Sequence, residues 1–118
     1  MIGGNMDKQD SIQRRRSEIL TELAGLDRMR RGSVTEQFVE AAGRDGRHRR
    51  RGPYPLYTFK TGGKTVSRRI RGEDVAKYRE QVQASHRFQE LTHELMALGE
   101  ALCDQVLRAD AVKKTPKL

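Results

Sequence analysis

Leu56-Tyr57-Thr58-Phe59-Lys60-Thr61-Gly62-Gly63-Lys64-Thr65-Val66-Ser67-Arg68-Arg69-Ile70 is the stretch that decides the fold. Two strand-like runs, Leu56 to Thr61 and Lys64 to Ile70, flank Gly62-Gly63. A glycine pair takes the positive φ angles of a two-residue hairpin turn without a steric penalty. That turn sets the register: Thr61 faces Lys64, Phe59 faces Val66 and Tyr57 faces Arg68. One side of the hairpin then collects Tyr57, Phe59, Val66 and Ile70, the side expected to bury against a helix. The other carries Thr58, Lys60, Thr65, Ser67 and Arg69, as a half-exposed antiparallel sheet should.

Upstream, Gly43 to Pro55 reads as a loop. Gly43, Gly46, Gly52, Pro53 and Pro55 punctuate it, and Arg44, Arg47, Arg49, Arg50 and Arg51 load it with charge. Ser33 to Ala42 fits two patterns. Ser33 with Glu36 forms a capping box before a short helix, with Val34 and Phe38 paired four apart. Val34, Thr35, Phe38 and Val39 also favour a strand. Before Gly32, the spacing of Ile12, Ile19, Leu23 and Leu26 predicts a helix over Ser11 to Met29, with Leu20 beside the stripe.

Downstream, Glu73 and Asp74 suit a helix start. No proline interrupts the chain from there to Pro116, so a helix can run from Glu73 to Leu107. From Phe88 onward, Leu91, Leu95, Leu98, Leu102 and Val106 follow a coiled-coil-like seam. Antiparallel pairing with the first helix covers part of it, and a homodimer could cover the rest. The expectation is an α+β fold: a flexible N-terminus over 1–10, one domain over 11–108 and a basic tail over 109–118. Within the domain, the basic sheet and loop span 33–71 and the long helix 73–108.

Charge is distributed unevenly. Met1 to Asp27 holds four basic and five acidic residues, and Gly72 to Leu118 holds seven and eight. Arg28 to Arg71 holds thirteen basic and three acidic residues, so this segment carries the whole excess of the chain's +8. A polyanion is the natural partner of such a segment. The expected contacts are Arg44, Arg47, Arg49, Arg50, Arg51, Lys60, Lys64 and Arg69 on a nucleic acid, DNA in preference to RNA. The alternative is a protein-interaction adaptor in which the long helix docks a partner such as a transposase or nuclease.

Other classes find little support. Thr61-Gly62-Gly63-Lys64-Thr65 spells the end of a phosphate-binding loop, but Thr58 stands where that pattern needs glycine. Lys60-Thr61-Gly62 lacks the serine-lysine motif that accompanies it in penicillin-binding proteins. Glu90 and His93 make half of a di-iron motif, near His86, with no second copy. No nucleophile and base cluster, so neither an enzyme nor a cofactor is expected, and no metal site. Cys103 stands alone, expected as a buried small hydrophobe in a reducing compartment. With no membrane-length apolar run and no signal-like leader, the expected location is the cytoplasm.

Several motifs together carry a resemblance: Gly32-Ser33-Val34, Ala42-Gly43-Arg44-Asp45-Gly46, Gly52-Pro53-Tyr54, Gly62-Gly63-Lys64-Thr65, then Ile70 and a long helix. This order resembles a family of small prokaryotic proteins built on a domain of unknown function, often noted near transposases and other mobile elements. The family pattern has cysteines where this chain has Ala42, Arg47 and Arg49, and histidine where it has Arg51. The resemblance implies a strand over Val34 to Val39, a three-stranded antiparallel sheet, and a mobile-element or phage setting. Arginines at two of the three cysteine positions and at the histidine position fit a polyanion partner rather than a metal.

Overall fold

The computed structural model describes residues 4–114, and side chains over 8–111. The fold is α+β. Helix α1 spans Gly4–Gly25, strands β1, β2 and β3 span Ser33–Ala42, His48–Thr61 and Lys64–Arg69, and helix α2 spans Val75–Lys114 after a short 3-10 turn at Gly72–Asp74. The three strands form one antiparallel sheet with β2 in the middle.

The hairpin follows its sequence. Thr61 pairs with Lys64, Phe59 with Val66 and Tyr57 with Arg68. Gly62 and Gly63 both have positive φ, 58° and 78°, which this tight turn requires. The segment Ser33 to Ala42 is a strand, since its backbone pairs with β2 along its length. A local capping signal yields to cross-strand pairing, which satisfies more donors and acceptors.

The expected loop Gly43 to Pro55 needs correction. Only residues 43–47 turn; His48 onward is strand. The turn closes on itself, with Gly43 N–H donating to the Arg47 carbonyl (2.7 Å) and Gly46 N–H to the Gly43 carbonyl (3.0 Å). Arg47 N–H donates to Asp45 Oδ1 at 3.1 Å, an Asx-turn. Gly52 and Pro53 are accommodated in a β-bulge. Between the pairs Gln37–Tyr54 and Val39–Arg51, the single residue Phe38 opposes both of them. Proline cannot donate to a ladder, and a bulge is where none is needed. Gly52 has φ 120°, and a Cβ there would stand 2.8 Å from the Gln37 carbonyl oxygen. Gly52→Ala is therefore expected to destabilise the sheet by about 1–3 kcal/mol, the usual cost of a forced backbone conformation. A urea titration followed by circular dichroism checks this.

The residues form two compact units. One spans Arg28–Arg87 and holds the sheet with the first part of α2. Its core is Tyr57, Ile70 and Val82, with Val34, Phe59, Val75 and Tyr78 packed around them. The Tyr57 ring lies 5.1 Å from both Phe59 and Tyr78, and its hydroxyl donates to the Arg31 carbonyl. Ile70 N–H donates to the Pro55 carbonyl at 3.1 Å, tying the end of β3 to β2.

The second unit comprises the described residues up to Asp27 and from Phe88 onward, which are α1 and the remainder of α2. These two helices run antiparallel. Arg15 forks onto Glu94, Nε to Oε2 at 2.6 Å and Nη2 to Oε1 at 2.7 Å. Gln9 and Gln13 share a groove with Leu102, Gln105, Val106 and Ala109. Hydrogen bonding to Glu94 raises the Arg15 pKa further, so this pair stays charged on the arginine side. Ile19 and Leu91 are the fully buried side chains here, each worth about 1.5–3 kcal/mol of burial. The expected start of α1 at Ser11 moves to Gly4, and α2 continues into the expected tail as far as Lys114. Residues 1–3 of the expected flexible terminus and 115–118 of the basic tail lie outside the described residues. Cys103 corrects another expectation, because it is exposed. It follows Leu102 by one residue, about 100° round the helix, and so lies beside the seam rather than in it. No helix among the described residues is long and apolar enough to cross a membrane.

Candidate nucleic-acid interface

The bulge decides which arginines share a surface. In the hairpin, odd-numbered residues of β2, such as Tyr57 and Phe59, face the first part of α2. Even-numbered Tyr54, Leu56, Thr58 and Lys60 face the other way, with Thr65, Ser67 and Arg69 of β3 and Ser33, Thr35 and Gln37 of β1. The extra residue at Gly52-Pro53 reverses that parity. Beyond it, Arg49 and Arg51 pair with Ala41 and Val39 and join the open face. Arg50 passes to the opposite face and lies over Phe38, 3.9 Å from the ring centre.

The open face therefore gathers Arg49, Arg51, Lys60 and Arg69. At ~3.3 Å per residue they form a row roughly 30 Å long. The Arg69 guanidinium sits 3.8 Å above the Tyr54 ring, a diagonal cross-strand contact. Thr58 Oγ1 and Ser67 Oγ lie 2.8 Å apart and share a hydrogen bond between them. At the far end, Arg49 and Arg51 line a shallow cleft of about 370 Å³ with Gly43, Arg44 and Asp45. Asp45 approaches Arg47 at 3.9 Å and Arg49 at 4.0 Å, both long contacts. Among the described residues, no carboxylate forms a salt bridge with Arg44, Arg51, Lys60, Lys64 or Arg69.

Other cations of the segment are occupied in the fold. Arg30 lies 4.2 Å over Tyr78 and donates to Gln81 Oε1 at 2.6 Å. Arg68 leans on Tyr57 and Phe59 and donates to Tyr78 Oη at 3.3 Å. Arg71 pairs with Glu73 and Asp74, each at 3.0 Å, at the start of the helical region.

Of the eight candidate residues, four meet on the open face. Arg44 and Arg47 sit in the adjoining turn, Lys64 at the exposed hairpin end on the Tyr57 side, and Arg50 on the opposite face. Tyr54, Thr35 and Gln37 belong to the open face and were not among the candidates. Tyr54 lay in the expected loop; carrying the hairpin parity two residues further upstream would have placed it beside Arg69. His86 lines a separate cleft with Ser33, Val34, Arg79, Val82 and Gln83. No three His, Cys, Asp or Glu side chains gather in a metal-binding group among the described residues.

Fold and surface together define a small α+β module whose three-stranded sheet is backed by a helix on one side and presents open cations on the other. The chain belongs to the family described as a domain of unknown function, DUF6788, whose model matches residues 9–80. That match takes in α1 from residue 9, the whole sheet and the start of α2. No curated protein and no solved structure matches the chain.

Proposed function

We propose that this protein binds nucleic acid, DNA in preference to RNA, as an accessory module of a mobile element or phage. One observation carries the reading: Arg49, Arg51, Lys60 and Arg69, all exposed, converge on a single sheet face, the one turned away from the first part of α2. The unit Arg28–Arg87 holds sixteen basic and six acidic residues, so its field attracts polyanions at a distance as well. Arginine forks suit phosphate oxygens, and hydroxyls on the same face add neutral donors. The setting rests on the family likeness alone, and a transposase or nuclease is the protein partner it suggests.

A salt series with a short fluorescent duplex tests the reading. With four phosphates neutralised, log affinity is expected to fall with log salt at a slope of about −3.6. Absence of binding at low salt would sink it.

A second reading, protein association, has its own observation. Met96, Cys103 and Leu107 fall on one stripe of α2 and are exposed, Met96 by 67% and Leu107 by 64%. This stripe lies about 100° round the helix from Leu91, Leu95 and Leu102, close to the angle between two neighbours in a four-helix bundle. A second copy of the chain, bringing the same stripe, is the occupant proposed. Light scattering on Met96→Glu/Leu107→Glu is expected to give a monomer where the parent chain gives a dimer; a monomeric parent would remove this reading.

A further inference from the structure

We infer that the open face takes B-form duplex DNA through its major groove, and not a single strand or an RNA duplex; this rests on the nucleic-acid reading above. A protein that holds single strands does so with aromatic rings on which bases stack. The chain has three tyrosines, three phenylalanines and no tryptophan, and each ring is accounted for. Tyr57 stacks on Phe59 and meets Tyr78 at a tilt, all three at the core. Phe38 lies under Arg50 on the opposite face, and Phe88 belongs to the helical unit. The open face has one ring, Tyr54, and the Arg69 guanidinium already covers it at 3.8 Å. Bases have no uncovered ring stack to enter.

The same contact suits a groove. A guanidinium whose carbon sits 3.8 Å over a ring centre is restrained in position, and its N–H donors remain available to a partner. Those donors match the paired acceptors O6 and N7 of guanine, which face the major groove. Thr58, Ser67, Thr35 and Gln37, on the same face, supply smaller donors and acceptors for neighbouring base edges.

Width agrees. The sheet is three strands wide only where Ser33–Thr35, Leu56–Thr58 and Ser67–Arg69 align. Toward the hairpin it narrows to β2 and β3, and toward the turn at residues 43–47 to β1 and β2. Arg69, Thr58, Ser67 and Thr35 lie on the three-stranded stretch, where β1 to β3 measures about 10 Å, within the roughly 12 Å width of the B-DNA major groove. The major groove of A-form RNA is too deep and narrow for this stretch. Arg49 and Arg51 at one end and Lys60 at the other are placed to reach the flanking phosphates.

The test uses the full chain with a 20-base-pair DNA duplex, either single strand of it, and the RNA duplex of the same sequence (about 20 base pairs spans two turns). The DNA duplex is expected to bind at least about tenfold more tightly than the others. Methylation of guanine N7 should interfere with binding, and netropsin, which fills the minor groove, should not compete. Arg69→Lys should keep the salt slope and lose the N7 interference, because the charge remains and the fork is gone. Equal or tighter binding of a single strand or RNA duplex, or displacement by netropsin, would overturn this inference and leave nucleic-acid binding standing. Binding to none of the probes at low salt would remove both.

Discussion

Arg49→Glu/Arg51→Glu/Arg69→Glu is expected to lose nucleic-acid binding while melting like the parent chain. These side chains share the open face and make no close salt bridge among the described residues, so their reversal breaks nothing in the core. Charge-assisted hydrogen bonds are worth about 1.5–3 kcal/mol each. Three losses at the low end amount to about a thousandfold in affinity. The salt slope should become shallower by about 2.7, since three phosphate contacts disappear. Arg50→Glu is the internal control. It sits one residue from each of two critical positions but on the opposite face, over Phe38. Its effect on binding is expected to be within about tenfold, a long-range charge effect only. Fluorescence anisotropy across salt concentrations, with thermal melts of each variant, measures both quantities. If Arg50→Glu weakens binding as much as the triple variant does, the face assignment is wrong and the cations act as a diffuse cloud.

Tyr57→Ala is expected to unfold the unit Arg28–Arg87. Tyr57 is 5% exposed and lies at the centre of that core. Its ring meets Phe59, Tyr78, Arg30 and Arg68, and its hydroxyl holds the Arg31 carbonyl ahead of β1. Truncating a buried aromatic costs about 3–5 kcal/mol. Small domains have about 5–15 kcal/mol in total, and a core of three buried apolar residues stands near the lower limit. Tyr57→Phe separates the two contributions. It keeps the ring and leaves the Arg31 carbonyl without its donor, for about 1–3 kcal/mol. Amide hydrogen exchange should show protection lost across β1, β2 and β3 in the alanine variant, and largely kept in the phenylalanine variant. Native-like protection in Tyr57→Ala would mean that the sheet does not depend on this core.

The hairpin was legible from Leu56 to Ile70 because its determinants are local. A glycine pair sets the turn, and side-chain alternation does the rest. Both helices were legible for a similar reason: apolar spacing marks the stripe that must be covered, although α1 begins at Gly4 and stops at Gly25, short of the expected Met29, and α2 runs on to Lys114. The concentration of charge in the middle of the chain needed only counting. Sorting that charge was a different problem. Gly52-Pro53 looked like a loop, since both residues disfavour a ladder by themselves. Only when β1 pairs across it does the segment become a bulged strand, and only the bulge turns Arg49 and Arg51 outward while sending Arg50 behind. Likewise Arg30 and Arg68 count equally toward the basic segment in sequence, yet they lie over the tyrosines of the core. Local sequence was enough for the two helices, the hairpin with its register, and the stretch where the cations are dense; it was not enough for β1 or for the first part of β2. Tertiary structure alone decided which cations face outward together, because a one-residue shift in register, set by a strand some fifteen residues away, exchanges the two faces of a sheet.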